Sequence, residues 1–342
     1  MILVTGAAGY IGSHTVISLL ENGYDIIGFD NLELGHIEIV NRLRNLNLKG
    51  NFLDFIQGDL KNPADIKKVF EFYPEIKGVI HFAAYSQVGE SVIDPQKYYY
   101  NNVFGTLNLL KVMLEHNVKR IVFSSTAATY GDAEYTPIDE NHPQKPINPY
   151  GKTKLMIENI MDDYDTAYGL KSVRLRYFNV AGADSLKRVG EWHEPETHLI
   201  PNILKSTFFS EKIFEMYGDD YSTKDGTCVR DYINVEDLAR AHVLALKYLE
   251  QGGVTNFFNL GTSEGNSVKE VFENCEKVTD KNIPVKVMPR RAGDPPILVA
   301  ANTKAKDVLM WHPEKDLEQS IKSAYCWEEE LIELKKGKDN VK

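Results

Sequence analysis

The sequence predicts an α/β fold, a doubly wound parallel sheet accompanied by a smaller α/β lobe. Three observations carry that prediction: strand-like apolar segments alternate with helix-like ones, the first strand runs into a glycine-spaced turn and a helix, and short polar residues stand where strands end. Strands separated by helices pair parallel through right-handed crossovers, which places ligands at their carboxyl ends.

Ile2-Leu3-Val4 reads as the first strand, followed by the turn Gly6-Ala7-Ala8-Gly9-Tyr10-Ile11-Gly12 and an apolar-periodic helix to Leu20. Such a turn aims the first N–H groups of the helix at an anion and lets backbone approach a pyrophosphate. The spacing of Gly6, Gly9 and Gly12 is GxxGxxG rather than GxGxxG. A second strand over 25–29 ends at Asp30-Asn31. A carboxylate there accepts hydrogen bonds from both adenosine ribose hydroxyls and repels a 2′-phosphate, so strand, turn, helix and acid together predict NAD rather than NADP.

The alternation continues with a strand over 52–57 that ends in Gly58-Asp59-Leu60, a helix over 64–73, and a strand over 78–82 that ends in Ala83-Ala84. A long helix over about 95–117 and a strand over 120–124 follow. Asn148 is a favoured N-cap and Pro149 fits a first helical turn, so a helix is expected from there to about Tyr168. A strand over 172–175 comes next. Past Val180 the chain is less regular, with aromatic and proline-rich loops that suit the smaller lobe, while a helix over 235–249 and a strand over 257–259 return to the larger one. The expected division is 1–177 with 232–262 for the dinucleotide domain, and 178–231 with 263–342 for the substrate lobe.

At 342 residues, 43% hydrophobic and 26% charged, the chain has the composition of an ordinary soluble protein with a large core. A net charge of -10 without a basic stretch argues against nucleic acid or an anionic membrane as partner. Cys228, Cys275 and Cys326 form no CxxC and no even set, and the sequence opens on a strand rather than a signal-like leader. Reduced thiols and a cytoplasmic location are expected. The lysine-rich 335–339 segment reads as a solvated tail.

Tyr150 and Lys154 are one helical turn apart, on a face that continues through Ile157, Met161 and Tyr164. A phenol is a poor base at neutral pH, but a nearby ammonium stabilises its phenolate, so the pair is suited to taking a proton from an alcohol. Spacing alone does not establish this, since Tyr73 and Lys77 share it, although Pro74 between them opposes a helix. Ser124-Ser125-Thr126, after an apolar strand, adds hydroxyls at the same end of the sheet.

With these residues in place, the sequence resembles the extended short-chain dehydrogenase/reductase family, most closely its UDP-sugar 4-epimerase branch. The motifs are Val4 to His14, His81-Phe82-Ala83-Ala84, Val88 to Ser91, Tyr99 to Val103, Tyr150 to Lys154, Arg176 to Gly182, Gly226 to Asp231 and Gly293-Asp294. The resemblance implies NAD contacts from Tyr10, Ile11, Asp30, Asn31, Asp59 and Leu60 on one side. It implies others from Phe82, Ala83, Ala84, Asn101, Ser124, Lys154 and Phe178. Thr126, Tyr150 and Lys154 become the catalytic set, with Thr126 where many members have serine.

The resemblance further implies that Asn179, His198, Leu199, Tyr217, Arg230, Arg291 and Asp294 line a nucleotide-sugar pocket, with Tyr217 near the uracil. An acidic protein needs local cations for a diphosphate, and the planar fork of arginine suits that role. Leu298 stands at the family position that limits room beside the sugar C2 substituent. A leucine there implies acceptance of UDP-GlcNAc and UDP-GalNAc besides UDP-glucose and UDP-galactose. Relatives pair through the helix after Pro95 and the Tyr150 helix, which implies a homodimer. A 4,6-dehydratase needs an acid beside the catalytic hydroxyl, whereas Ala127-Ala128-Thr129 follows Thr126. Retention of all three catalytic residues opposes a non-catalytic NAD-binding regulator. His193, Glu194, Glu196 and His198 sit in a proline-bearing loop without a recognised ligand spacing, so no metal is expected.

Overall fold

All seven strand-like segments join one parallel sheet in a computed structural model that describes residues 1–209, 211–291 and 294–339. They are β1 (Ile2–Thr5), β2 (Ile26–Asp30), β3 (Phe52–Gln57), β4 (Gly78–His81), β5 (Arg120–Ser124), β6 (Lys171–Tyr177) and β7 (Asn256–Leu260). Their spatial order is β3-β2-β1-β4-β5-β6-β7. Ile2 pairs with Ile26 on one side and with Gly78 on the other. The strand order therefore reverses at β1, and the crevice between the ends of β1 and β4 is the ligand position of such a sheet.

Side chains alternate between the two faces with the period of a strand. Ile2, Val4, Ile26, Ile80 and Val122 enter one core layer with Val16 and Leu20 of the Tyr10–Glu21 helix and Leu238 and Leu246 of the Val235–Glu250 helix. Leu3, Ile27, Val79, Ile121 and Phe123 enter the other, with Val69 of the Pro63–Phe72 helix, Leu109 of the Gly105–Glu115 helix, and Ile157 and Met161. Each large apolar side chain so buried contributes about 2 kcal/mol. With both faces covered, the strands read as continuous apolar runs.

The Pro149–Tyr168 helix begins as its sequence indicates, with Asn148 Oδ1 accepting from Gly151 N at 2.8 Å and Pro149 in the first turn. It stops at Gly169, which takes the left-handed conformation at φ 67. The long helix after Asp94 differs from a uniform one. It runs as Pro95–Tyr98, a π turn over Tyr99–Phe104, and Gly105–Glu115. The wide turn keeps Asn102 in the core, where it bonds the backbone of Tyr85 and the Thr153 hydroxyl, beside Asn101 at the cleft. The 335–339 segment ends the Leu317–Asp339 helix; its Lys336 side chain is exposed and that of Lys335 partly so, and Lys335 pairs with Glu194 at 2.6 Å.

A third core of Ile203, Leu204, Phe214, Val271, Phe272 and Ile321 lies beyond β6. Short ladders frame it. Val229–Arg230 pairs antiparallel with Asn266–Ser267 and parallel with Ile297–Leu298, in a register that sets Leu298 opposite Arg230. Asn179–Ala181 pairs parallel with Tyr232–Asn234.

Candidate active site

The cleft of ≈ 1200 Å³ opens at the carboxyl ends of β1, β4, β5 and β6. Backbone builds one wall. Gly6 has φ 73, and a Cβ on it would lie 2.8 Å from Ala83 N; a Cβ on Gly12 would lie 2.0 Å from Gly6 O. Only glycine permits this turn at both positions. The Tyr10–Glu21 helix that follows has no side-chain cap and no acid in its first turn, so its leading amides face the cleft as an anion cradle. Asp30 Oδ2 accepts from Ala8 N at 3.1 Å and Oδ1 from Leu32 N at 2.9 Å, while burial raises its pKa. This cradle with its carboxylate fits a pyrophosphate-bridged dinucleotide.

The remaining residues assigned to the cofactor line the same cleft: Gly9, Tyr10, Ile11, Asn31, Asp59, Leu60, Phe82, Ala83, Ala84, Asn101, Ser124 and Phe178. Asn31 donates to Asp59 at 3.3 Å, and the hydroxyls of Ser124 and Tyr177 bond each other. Tyr177, which also lines the cleft, was not singled out from the sequence although it stands beside Phe178. Glu33 and Tyr85, bonded at 2.5 Å, line it as well and carry no sequence signal.

Tyr150, Lys154 and Thr126 meet at the middle of the cleft, all buried. The Thr126 hydroxyl, which accepts from Ala128 N at 3.1 Å, stands near the Tyr150 phenol and acts to lower its pKa, but burial dominates and pushes it up to about 12. The expected lowering of Tyr150 by Lys154 is therefore absent in the protein alone. The Lys154 ammonium turns to Ser124 O at 2.8 Å and lies 5.9 Å from the Tyr150 ring centre. Its own pKa is pushed down to about 7 by burial, with Glu158 one turn on opposing the shift. Glu158 also anchors the strand end, accepting from Ser125 Oγ at 2.5 Å and from Arg176 Nε at 3.0 Å.

Side chains build the opposite wall. Asn179, His198, Leu199, Arg230, Asp294 and Leu298 line it. The Arg230 guanidinium donates to Val229 O at 2.9 Å and Pro295 O at 2.8 Å and stands 3.6 Å from Asp294. Tyr217 and Arg291 do not line the cleft; they stack on each other, with the guanidinium 4.0 Å from the ring centre. Ala292 and Gly293, which complete the Gly-Asp motif, lie outside the described residues.

In the 191–198 loop, Glu191, His193, Glu196 and His198 converge, their ligand atoms within 4.8 Å of one another. Glu194, a member of the sequence set, turns away to Trp192 Nε1 at 3.0 Å and to Lys335. Glu191 takes its place, having no spacing that marks it.

The sequence matches, over residues 3–324, the family model described as GDP-mannose 4,6 dehydratase. It is 50% identical over 330 residues to the UDP-glucose 4-epimerase of Halalkalibacterium halodurans, covering 96% of each chain. Among solved structures it resembles UDP-glucose 4-epimerase from Brucella ovis in complex with NAD, at 46% identity and a TM-score of 0.89, covering 95% of this chain and 97% of that one. It also resembles the UDP-Glc/GlcNAc 4-epimerase of Campylobacter jejuni, at 40% identity and a TM-score of 0.83, covering 96% of this chain and 99% of that one. The chain belongs to the UDP-glucose 4-epimerase family of the extended short-chain dehydrogenases/reductases.

Proposed function

We propose that this protein interconverts UDP-glucose and UDP-galactose by inverting sugar C4, with NAD as a resident cofactor. The observation that carries the reading is the meeting of Thr126, Tyr150 and Lys154 between a dinucleotide cradle and a wall bearing Arg230. Gly6, Gly9 and Gly12 shape the cradle, Asp30 and Asn31 take the adenosine ribose, and Phe82, Asn101, Ser124, Lys154 and Phe178 surround the nicotinamide half. When bound, NAD supplies a reversible hydride acceptor for C4.

Tyr150 takes the proton of the 4-hydroxyl and later returns one to the same oxygen, acting as base and then as acid. Thr126 orients that oxygen, and its hydroxyl near the phenol favours the phenolate. Lys154, held by Ser124 O, orients the cofactor ribose. Inversion requires the sugar to present both faces in turn, so affinity must reside in the nucleotide. Arg230 holds the diphosphate, with Asn179, His198 and Leu199 lining the pocket around it; Arg291, the second diphosphate cation, and Tyr217, the uracil contact, stack on each other outside the cleft and reach the nucleotide only by moving toward it. The corresponding lobes are 1–177 with 232–262, and 178–231 with 263–342.

The protein also accepts UDP-GlcNAc and UDP-GalNAc, because Leu298 leaves room that a tyrosine would fill. Likeness to an enzyme named for both sugars supports this. The active form is a homodimer, supported by the exposed Tyr100 and Phe104 on one interface helix and Met156 on the other. The three free cysteines support a cytoplasmic location, and no helix among the described residues is long and apolar enough to cross a membrane.

Incubation of the purified protein with UDP-galactose or UDP-GalNAc, without added reagents, followed by chromatography of the 4-epimers, tests the reading. Conversion of both is expected. Conversion of UDP-galactose alone removes the breadth assigned to Leu298, and conversion of neither with NAD bound removes the epimerase assignment.

A further inference from the structure

We propose that Glu191, His193, Glu196 and His198 form a closed site for one divalent transition-metal ion, zinc by the chemistry of the donors. The site is on the loop that joins the cofactor wall to the substrate wall. Its first support is the shape of the donor set. His193 Nδ1 stands 3.1 Å from Glu191 Oε1 and 3.8 Å from Glu196 Oε1; His198 Nδ1 stands 2.5 Å and 3.5 Å from the same two oxygens. A tetrahedral ion with bonds of about 2.0–2.1 Å to nitrogen and oxygen has ligand-to-ligand edges of about 3.3 Å. The four separations scatter about that value. Both imidazole nitrogens bond Glu191 Oε1 and also lie within 4 Å of Glu196 Oε1, so one ion taking the place of the shared protons would meet all four donors.

The second support is charge. The side chains of Glu191, Glu196 and Glu328 are only 5–6% exposed, and the permanent cation among them is Lys205, 3.5 Å from Glu196 and 3.9 Å from Glu328. Buried carboxylates must be compensated. A divalent ion bound by neutral imidazoles does so without placing two imidazolium rings at the observed centroid separation of 5.1 Å. Two nitrogen and two carboxylate donors suit zinc, and four protein ligands leave no open position, which makes the site structural.

The surroundings give the ion a task. Tyr10 of the cradle helix sets its ring edge-on to His193 at 6.3 Å, and His198 is the N-cap of the Leu199–Phe208 helix that reaches the substrate. An ion here fixes the two walls relative to each other.

The full-length protein, purified with its cofactor, is dialysed against dipicolinate and titrated with Co2+. One equivalent per chain, with the visible absorption of tetrahedral cobalt and stoichiometric displacement by Zn2+, is the expected result. His193→Ala and Glu191→Gln should each abolish that absorption while far-UV circular dichroism is retained. If either variant misfolds, the parent titration decides alone. Cobalt that binds only with the weak absorption of an octahedral ion, or no more than to the variants, overturns the site and leaves an imidazolium–carboxylate cluster. The readout is a metal spectrum, so its failure leaves the epimerase assignment untouched.

Discussion

The two walls of the cleft are built from different materials. The cradle at the end of β1 is shaped by backbone: a turn that excludes any Cβ at Gly6 and Gly12, and the uncapped amides of the helix behind it. On the substrate side the contacts come from side chains on segments far apart in the chain, with Arg230 and Leu298 brought together by a two-residue ladder. A backbone site rests on local steric demand, which has one residue type as its solution. A side-chain site rests on tertiary pairing, which many sequences satisfy.

Tyr150, between the walls, gives the largest expected effect. Tyr150→Phe keeps the ring and removes the proton carrier, so turnover of UDP-galactose should fall about 10³-fold, within the range of general acid–base catalysis. Cofactor absorbance in the purified variant should be unchanged; loss of cofactor would mean that the phenol belongs to the cradle. Next is Gly12→Ala, whose new methyl would meet Gly6 O. The turn must open at a cost of about 2–3 kcal/mol, and the NAD content of the purified protein should drop with it. A variant that keeps NAD would show that the wall is not fixed by sterics.

Arg230→Met probes the other material. Losing a charge-assisted contact of about 1.5–3 kcal/mol should raise KM about 10- to 100-fold with a smaller change in kcat. The parent KM should itself rise with salt. An effect on kcat alone would place Arg230 with the chemistry rather than with the anchor.

The smallest expected effect lies beneath the cofactor wall, which rests on a neutral layer. His242 packs 4.6 Å from Phe82, its Nε2 has no partner among the described residues, and burial holds its pKa down at about 4. Below the ordinary value of 6.5 the unfolded chain takes up this proton and the folded chain does not, so stability falls as pH drops from about 6.5 toward 4. In His242→Leu the loss of unfolding free energy between pH 7 and pH 5, measured in urea, should shrink by about 2 kcal/mol. An unchanged loss would assign acid sensitivity elsewhere, with His81, held down to about 3 by burial and then by Lys154, as the next imidazole to replace.

The same contrast explains what could be read in advance. Seven strands, the Asn148 cap and the glycine cradle follow from periodicity and local stereochemistry, and each is present where those rules place it. The π turn at Tyr99–Phe104 has no sequence period of its own, because a single wide turn leaves the flanking helical pattern intact. The electrostatics of Tyr150 were misjudged because spacing locates the lysine but does not reveal burial, which outweighs it. Arg230 and Leu298 were found only through family resemblance, and Glu191 was missed because its partners lie on a loop whose folding no spacing rule describes.

The position of β7 bears on how the protein is made. β7 pairs with β6 along its whole length, yet the two are separated by all of 178–255. While residue 260 is still inside the ribosome, β6 is an open edge with unpaired amides, an invitation to pair with another chain. The segment that supplies Arg230 must emerge and fold back before that edge is covered. Slower translation through 178–255 would prolong the exposure, and a nascent chain truncated before Asn256 should aggregate, whereas one extended past Leu260 should not.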